Sequence, residues 1–435
     1  MNTIDWNWRE FKRSRHWQRL APFALLFTRL CGQFTRVGHN PCAMNEVISK
    51  SAASKSLLGE IAWAFLRLGF VAFGGAAAHI AMMEQEFVQR RKWLTREDFV
   101  DRVGAVSLLP GPSSTELAIY LGELRGGLAG LVVAGCSFIL PSAFLVSLLA
   151  VAYQKYGTVP QIEAVLFGVK PIVVALILQA VWSLARVAVK SAEMAFLAAV
   201  VLGLAAMHVS AIALLIGTGV AWIVAERFSG KSGAAKAAGG VLAQGGALAA
   251  VSTTSSVASP TVTGVFLYFL KVGAMLFGSG YVLLAVLRAD LVERLHWLTE
   301  SQLIDAIAVS QGTPGPFFTV STFIGYVLAG WKGAALATVG MFLPAFVFVG
   351  VTAKFLPRLR KSPVAGAFLD GVNAAAVALM AFVGWQFARE TVLSVPAILM
   401  AAVAAVLLLR FKVNSAWLVL GGAAVGMVLR LVHPG

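Results

Sequence analysis

FLRLGFVAFGG, residues 65–75, returns as FLKVGAMLFGSG, residues 269–280. The two stretches stand 204 residues apart, and that spacing carries the reading outward. Gly69, Phe73 and Gly74 meet Gly273, Phe277 and Gly278. Trp93-Leu94-Thr95 meets Trp297-Leu298-Thr299, Asp101 meets Asp305, and Pro110-Gly111-Pro112 meets Pro314-Gly315-Pro316. After a one-residue deletion the spacing becomes 203. Gly122, Gly130, Leu140-Pro141 and Gly168-Val169 then meet Gly325, Gly333, Leu343-Pro344 and Gly371-Val372, while Trp182 and Arg186 meet Trp385 and Arg389. Identities kept in register over about 125 residues mark two copies of one unit.

The setting of that unit follows from composition. Of 435 residues, 59% are apolar and 13% charged, with a mean hydropathy of +0.81. Soluble domains carry about 45–50% apolar and about 25% charged residues. One core cannot hide this excess, because burial is limited by the surface-to-volume ratio. A multi-pass membrane protein is expected, with room for about 10 to 14 spans. The apolar runs are long and unbroken, unlike the short alternating strands of a membrane β-barrel. Each half shows an apolar helix (about 57–83 and 262–287) and then a charged stretch (84–102 and 288–305). A segment interrupted by Pro-Gly-Pro and four further apolar stretches follow. The expected fold is all-α and polytopic, with two homologous repeats of about 5–6 transmembrane helices and helices broken at Pro-Gly-Pro.

The expected domains are a basic leader at 1–43, a first repeat at 44–228, a Gly/Ala/Ser linker at 229–260 and a second repeat at 261–435. Whether translation starts at Met1 or Met44 stays open. So does the relative direction of the repeats. The Lys/Arg bias of their loops does not decide it if every apolar segment crosses once. An odd number of crossings per half would invert them, which suits alternating access.

The formal charge of +15 fits basic loops at a cytoplasmic membrane face better than nucleic acid, because no basic patch sits on a soluble segment. Cys31, Cys42 and Cys136 make no disulfide framework or CxxC site, and the six histidines form no HExxH pair. No Ser-His-Asp arrangement, paired catalytic carboxylates or GxxxxGK[ST] loop appears, so no enzyme, metal or cofactor is expected. Energy would come from an ion gradient or the membrane potential. For a dianion, 100 mV is worth roughly 2 × 2.3 kcal/mol.

Proline lacks an N–H and glycine permits unusual φ, so each Pro-Gly-Pro breaks a helix. Broken backbone at membrane depth belongs beside protein or a wet cavity. The helix that restarts there offers free N–H groups and a positive dipole end to an anion. Paired breaks at matching repeat positions point to a transport site. The candidate binding residues are Arg67, Gly74, Gly75, Pro110, Gly111, Pro112, Ser113, Ser114, Lys271, Gly278, Thr313, Pro314, Gly315 and Pro316. Arg67 and Lys271 are matched charges inside apolar helices, with snorkelling to the interface as the alternative. Asp101 and Asp305 are candidates for gating or proton relay. Glu116 has no counterpart in the second half, and His79 reads as packing.

FLRLGFVAFGG, WLT, LLPGP and their second-half partners FLKVGAMLFG, WLT and GTPGP resemble the chromate ion transporter family, in its long two-repeat bacterial form. The resemblance covers about residues 57–430. It implies an inner-membrane secondary transporter that expels chromate, confers chromate resistance and depends on the proton motive force. It implies sulfate as a related tetrahedral dianion, opposed orientations of the halves, and importance at Gly74, Gly278 and both Pro-Gly-Pro triplets. A sulfate or other oxyanion transporter, and a membrane enzyme or scaffold, are the rival readings. A homodimer is left open.

Overall fold

The structure is a computed structural model, and it describes residues 57–157, 159–207, 209–228, 260–276, 280, 282–353, 363–411 and 413–432. The leader at 1–43, the linker at 229–260 except Pro260, and Gly278 lie outside the described residues. The described residues are mainly helical, with no strand among them.

Helix α1 (57–71) buries Ile61, Ala64, Phe65 and Leu68, a stripe at helical spacing. It stops at Gly74, where φ is +106°. The chain then turns back as α2 (Ala76–Met83), which continues into a π-helical turn, Glu84–Arg90. The arms pack through Phe65 and Phe87, whose ring centroids are 4.8 Å apart. Residues 57–83, read above as one apolar helix, therefore form a hairpin whose Gly74-Gly75 tip is remote from its mouth. Glu60 closes the mouth, accepting from Arg91 at 3.1 Å and from Trp93 Nε1 at 3.3 Å.

Helix α3 (Arg96–Val106) starts at the same mouth, capped by Thr95 Oγ1 on the Asp98 N–H. It ends before Pro110-Gly111-Pro112, and α4 (Ser113–Tyr156) begins after them. At Gly126 and Gly127 α4 leaves helical geometry, with Gly127 at φ +59°. Its short first arm brings the chain back to Glu60, which Arg125 approaches to 3.7 Å. The first arm then folds against the second, Gly122 facing Gly130 so closely that no Cβ fits at either. Each repeat thus opens with two hairpins, and only the long second arm leaves their mouth.

The second repeat rebuilds this. Helix α8 (Val262–Met275) and α9 (Val282–Leu287), the latter continued by a π-helical turn at Arg288–Arg294, are followed by α10 (Glu300–Gly312). A 3-10 turn (Phe317–Thr319) and α11 (Val320–Thr352) come next, kinked at Ala329 and Gly330. The unusual backbone positions repeat as well. Lys92 and His296 share positive φ (53° and 50°), as do Gly111 and Gly315 (138° and 95°) and Gly127 and Gly330 (59° and 62°). One ion pair recurs with its charges exchanged: Glu84 with Arg96 at 3.1 Å, and Arg288 with Glu300 at 2.6 Å.

Side-chain contacts fix the direction of the repeats. The second arm of α4 leaves the first mouth and ends at the other, where Tyr153 meets the Phe323 ring at 5.2 Å and Gln154 Nε2 donates to Val327 O at 3.1 Å. The second arm of α11 ends toward the first mouth, where Ala353 O accepts from Tyr120 Oη at 3.3 Å. The long arms run antiparallel between opposite mouths, so the repeats are inverted. Helices α5 (Pro160–Ala188), α6 (Ala192–Ala206) and α7 (Ala211–Phe228) complete the first repeat; α12 (Pro363–Thr391), α13 (Val395–Phe411) and α14 (Ser415–Val432) complete the second. These outer pairs are exchanged between repeats: Gly168 of α5 lies against Gly422 of α14, and Gly371 of α12 against Gly219 of α7. Small residues allow such close crossing.

Four helices are long and apolar enough to cross a membrane, and several shorter apolar helices accompany them. Phe196, Leu399, Val403 and Trp417 stand outward on the peripheral helices, each more than half exposed. Lipid is the solvent that suits such a surface. The chain is a multi-pass membrane protein.

Candidate functional site

The hairpin tips of the two repeats meet, and the Pro-Gly-Pro sequence explains how. Neither proline in a triplet has an N–H to give, so the glycine carries its sole donor. Gly111 N–H is given to Leu276 O at 2.7 Å, and Gly315 N–H to Ala72 O at 2.8 Å. Both acceptors are carbonyls at helix C-termini, which have no partner within their own helix. Each donor lies in one repeat and each acceptor in the other. The two bonds are equivalent, because 111 and 315, and 72 and 276, share the spacing of 204.

The glycines are required there for two reasons. Their positive φ values strain other residues. A Cβ at Gly111 would also stand 2.6 Å from Glu116 Oε1, and one at Gly315 would stand 2.6 Å from Ser142 Cβ and 3.2 Å from Gly69 O.

Helices start at these tips without side-chain caps: α2 after Gly75, α4 after Pro112 and the 3-10 turn after Pro316. Thr115 and Glu116 give their N–H groups to Pro112 O, while Ser113 and Ser114 precede the first intrahelical bond. Hydroxyls crowd the same level. Ser142 Oγ and Thr319 Oγ1 are 2.8 Å apart, Thr313 Oγ1 donates to Ser310 O, and Thr322 Oγ1 lies 2.7 Å from Thr338 Oγ1. Ser114, Thr115, Ser142, Thr313, Thr319, Ser321 and Thr322 are all buried. The hydroxyl protons of Thr313, Thr319 and Ser321 are given to backbone carbonyls, so the donors the arrangement presents to an oxyanion are the free N–H groups and the dipole ends of the helix starts.

Of the predicted residues, Gly74, Gly75, Pro110, Gly111, Pro112, Ser113, Ser114, Thr313, Pro314, Gly315 and Pro316 come together at the tips. Arg67 does not join them. It is exposed on the outer side of the first hairpin, in a cleft with Gln85, Glu86, Gln89 and Arg90. Lys271 is half-buried at the matching place and lies close to Asp290, the counterpart of Glu86. Asp101 and Asp305 differ in environment. Asp101 is exposed, whereas Asp305 is buried, 3.1 Å from Lys170 Nζ, and accepts from Tyr153 Oη at 3.0 Å.

Two residues at the tips went unselected by sequence reasoning. His79, read as packing, stands edge-on to Phe138 but also places Nδ1 3.3 Å from Ser114 Oγ, and its Nε2 is buried without a partner. Glu116 is fully buried, with neither carboxylate oxygen hydrogen-bonded. The signal for Glu116 was present in its rarity: a charged residue within an apolar segment suggests function by default.

Comparison with known proteins gives the same picture. The family described as "Chromate transporter" matches residues 59–223 and again residues 263–427. A chromate transport protein of Cupriavidus metallidurans is 32% identical over 85% of this chain and 93% of its own length. A chromate transport protein of Pseudomonas aeruginosa is 30% identical, over 77% of this chain and 82% of its own. A probable chromate transport protein of Synechococcus elongatus is 28% identical, over 80% and 88%. No solved structure matches. Each family match falls on one of the inverted halves whose tips are bonded together, and the chain belongs to the chromate transporter family.

Proposed function

We propose that this protein exports chromate across the bacterial inner membrane as a secondary transporter, conferring chromate resistance. The reciprocal bonds from Gly111 to Leu276 and from Gly315 to Ala72 carry the reading. They make the meeting of the tips a single site shared by two inverted units, as alternating access needs. A tetrahedral dianion is held between the tips by the N–H groups of Ser113 and Ser114. Movement of one repeat's tips against the other's then exposes the site to each side in turn. The membrane potential or the proton motive force supplies the drive. Sulfate, of the same shape and charge, is the expected competitor.

Everted membrane vesicles test this. Energised vesicles containing the protein are expected to take up chromate, and an uncoupler or excess sulfate is expected to reduce the uptake. No uptake from demonstrably energised vesicles would overturn chromate export and favour another oxyanion or import.

Arg67 and Lys271 act at a distance in this reading. Each raises the positive potential along its hairpin without touching the anion. Arg67→Gln and Lys271→Gln are each expected to raise the half-saturating chromate concentration by about 3- to 10-fold, the size of a screened charge interaction near 10 Å. Maximal uptake should change little. Unchanged half-saturation in both variants would leave the two cations with an interfacial role alone.

A further inference from the structure

Glu116 stands at the point where an oxyanion would be held, and no counter-ion or hydrogen bond meets its carboxylate. It lies in the first turn of α4, fully buried, with both carboxylate oxygens unpartnered. Its Oε1 faces the Pro-Gly-Pro turn so directly that a methyl group at Gly111 would stand 2.6 Å from it. The same methyl group would stand 3.8 Å from Gly273 O of α8. From α2, His79 reaches Ser114, two residues away, and its Nε2 has no partner. Thr115 Oγ1, beside Glu116 in sequence, is likewise buried and unpartnered. Among the described residues no Lys, Arg or His hydrogen-bonds to the carboxyl.

Buried polar groups are normally paired, so three unpaired ones around one turn require an explanation. An ionised carboxylate in this place has only the free N–H groups and the dipole of the α4 N-terminus to hold it. Those are the groups that an oxyanion would use. A carboxylate and a dianion cannot share them, because like charges in a low-dielectric site exclude one another. A protonated carboxyl removes the conflict, and its O–H becomes one more donor to the anion.

We propose that Glu116 is a proton site linked to oxyanion binding: the carboxylate takes up one proton from the open aqueous side as the dianion enters, and releases it when the dianion leaves. The second repeat has Thr319-Val320 at the corresponding turn, so the transporter carries one such site. Each oxyanion then leaves with one net negative charge, so in this scheme the membrane potential drives export and the pH gradient opposes it. This rests on the reading that the tips hold a tetrahedral dianion.

The test is proton uptake by the full-length purified protein in weakly buffered solution near pH 8, where chromate and sulfate are both dianions. The wild type is expected to take up about one proton per anion bound, and its affinity to rise by up to about tenfold per unit fall in pH. Glu116→Gln is expected to bind without proton uptake and with affinity independent of pH. Glu116→Asp, which keeps the carboxyl, is expected to keep the uptake. Anion binding by the wild type without proton uptake would overturn the proposal. So would uptake that persists in Glu116→Gln, which would point to His79. If the wild type binds neither chromate nor sulfate, the dianion site itself is lost and the proposal falls with it. That failure is separable from the others because it shows in binding and not in protons.

Discussion

Gly315→Leu is expected to abolish chromate uptake while the protein still reaches the membrane, and Gly111→Leu is expected to do the same. Gly315 has φ +95° and Gly111 φ +138°, where any side chain is strained by about 1–3 kcal/mol. Overpacking adds about 1–3 kcal/mol, because the first atom of the new side chain already meets Ser142 and Gly69 O, or Glu116. The sum moves the backbone that donates to Ala72 O or Leu276 O. A site of this kind tolerates displacements of only about 0.5 Å. Gly315→Ala should already lose most uptake. Gly203→Ala, on a helix with open space around that position, should lose none. Vesicle uptake, normalised to immunodetected protein, reads the series. Normal flux in both leucine variants would show that the tips are not the transport site.

The two-repeat architecture was legible because identical residues recur at fixed spacing. The broken helices were legible because proline and glycine act on their own backbone. The hairpins were not. Residues 57–83 are apolar but for Glu60, Arg67 and His79, and only the pairing of Phe65 with Phe87 reveals that the chain turns back at Gly74. Without those hairpins, every apolar segment counts as a crossing, and loop charges cannot tell parallel from inverted repeats. The contacts of Tyr153 and Tyr120 do so. The Glu84–Arg96 and Arg288–Glu300 pairs illustrate a different limit. The geometry is kept while both charges are exchanged, so comparison of identities sees two mismatches where the structure has one conserved link. At the tips, the breaks and hydroxyls could be read from sequence, but the partners of Gly111 and Gly315 lie in the opposite repeat and follow from no local pattern.

Asp305→Ala is expected to destabilise the protein by about 1–3 kcal/mol and to lower uptake with it, because the change leaves Tyr153 Oη without its acceptor and the partly exposed Lys170 without its counter-ion. Asp305 joins three elements: Lys170 on α5, Tyr153 at the end of α4 and its own helix α10. Lys170 Nζ also donates to Ser301 Oγ at 2.8 Å, so the ammonium is held by two side chains one turn apart on the same face of α10. The decisive comparison is with Lys170→Met combined with Asp305→Leu. Replacing a buried pair by apolar residues of similar size is often neutral or stabilising, whereas removing one partner is not. The double variant should therefore recover most of the thermal stability lost by Asp305→Ala. Asp101→Ala, at an exposed position of α3, should shift the unfolding temperature little. Uptake then separates the two roles open to Asp305. A double variant that is stable and active places Asp305 in a structural link between the inverted halves. One that is stable but inactive assigns the carboxylate to gating or to a proton path, because packing has been restored and only the titratable group is missing.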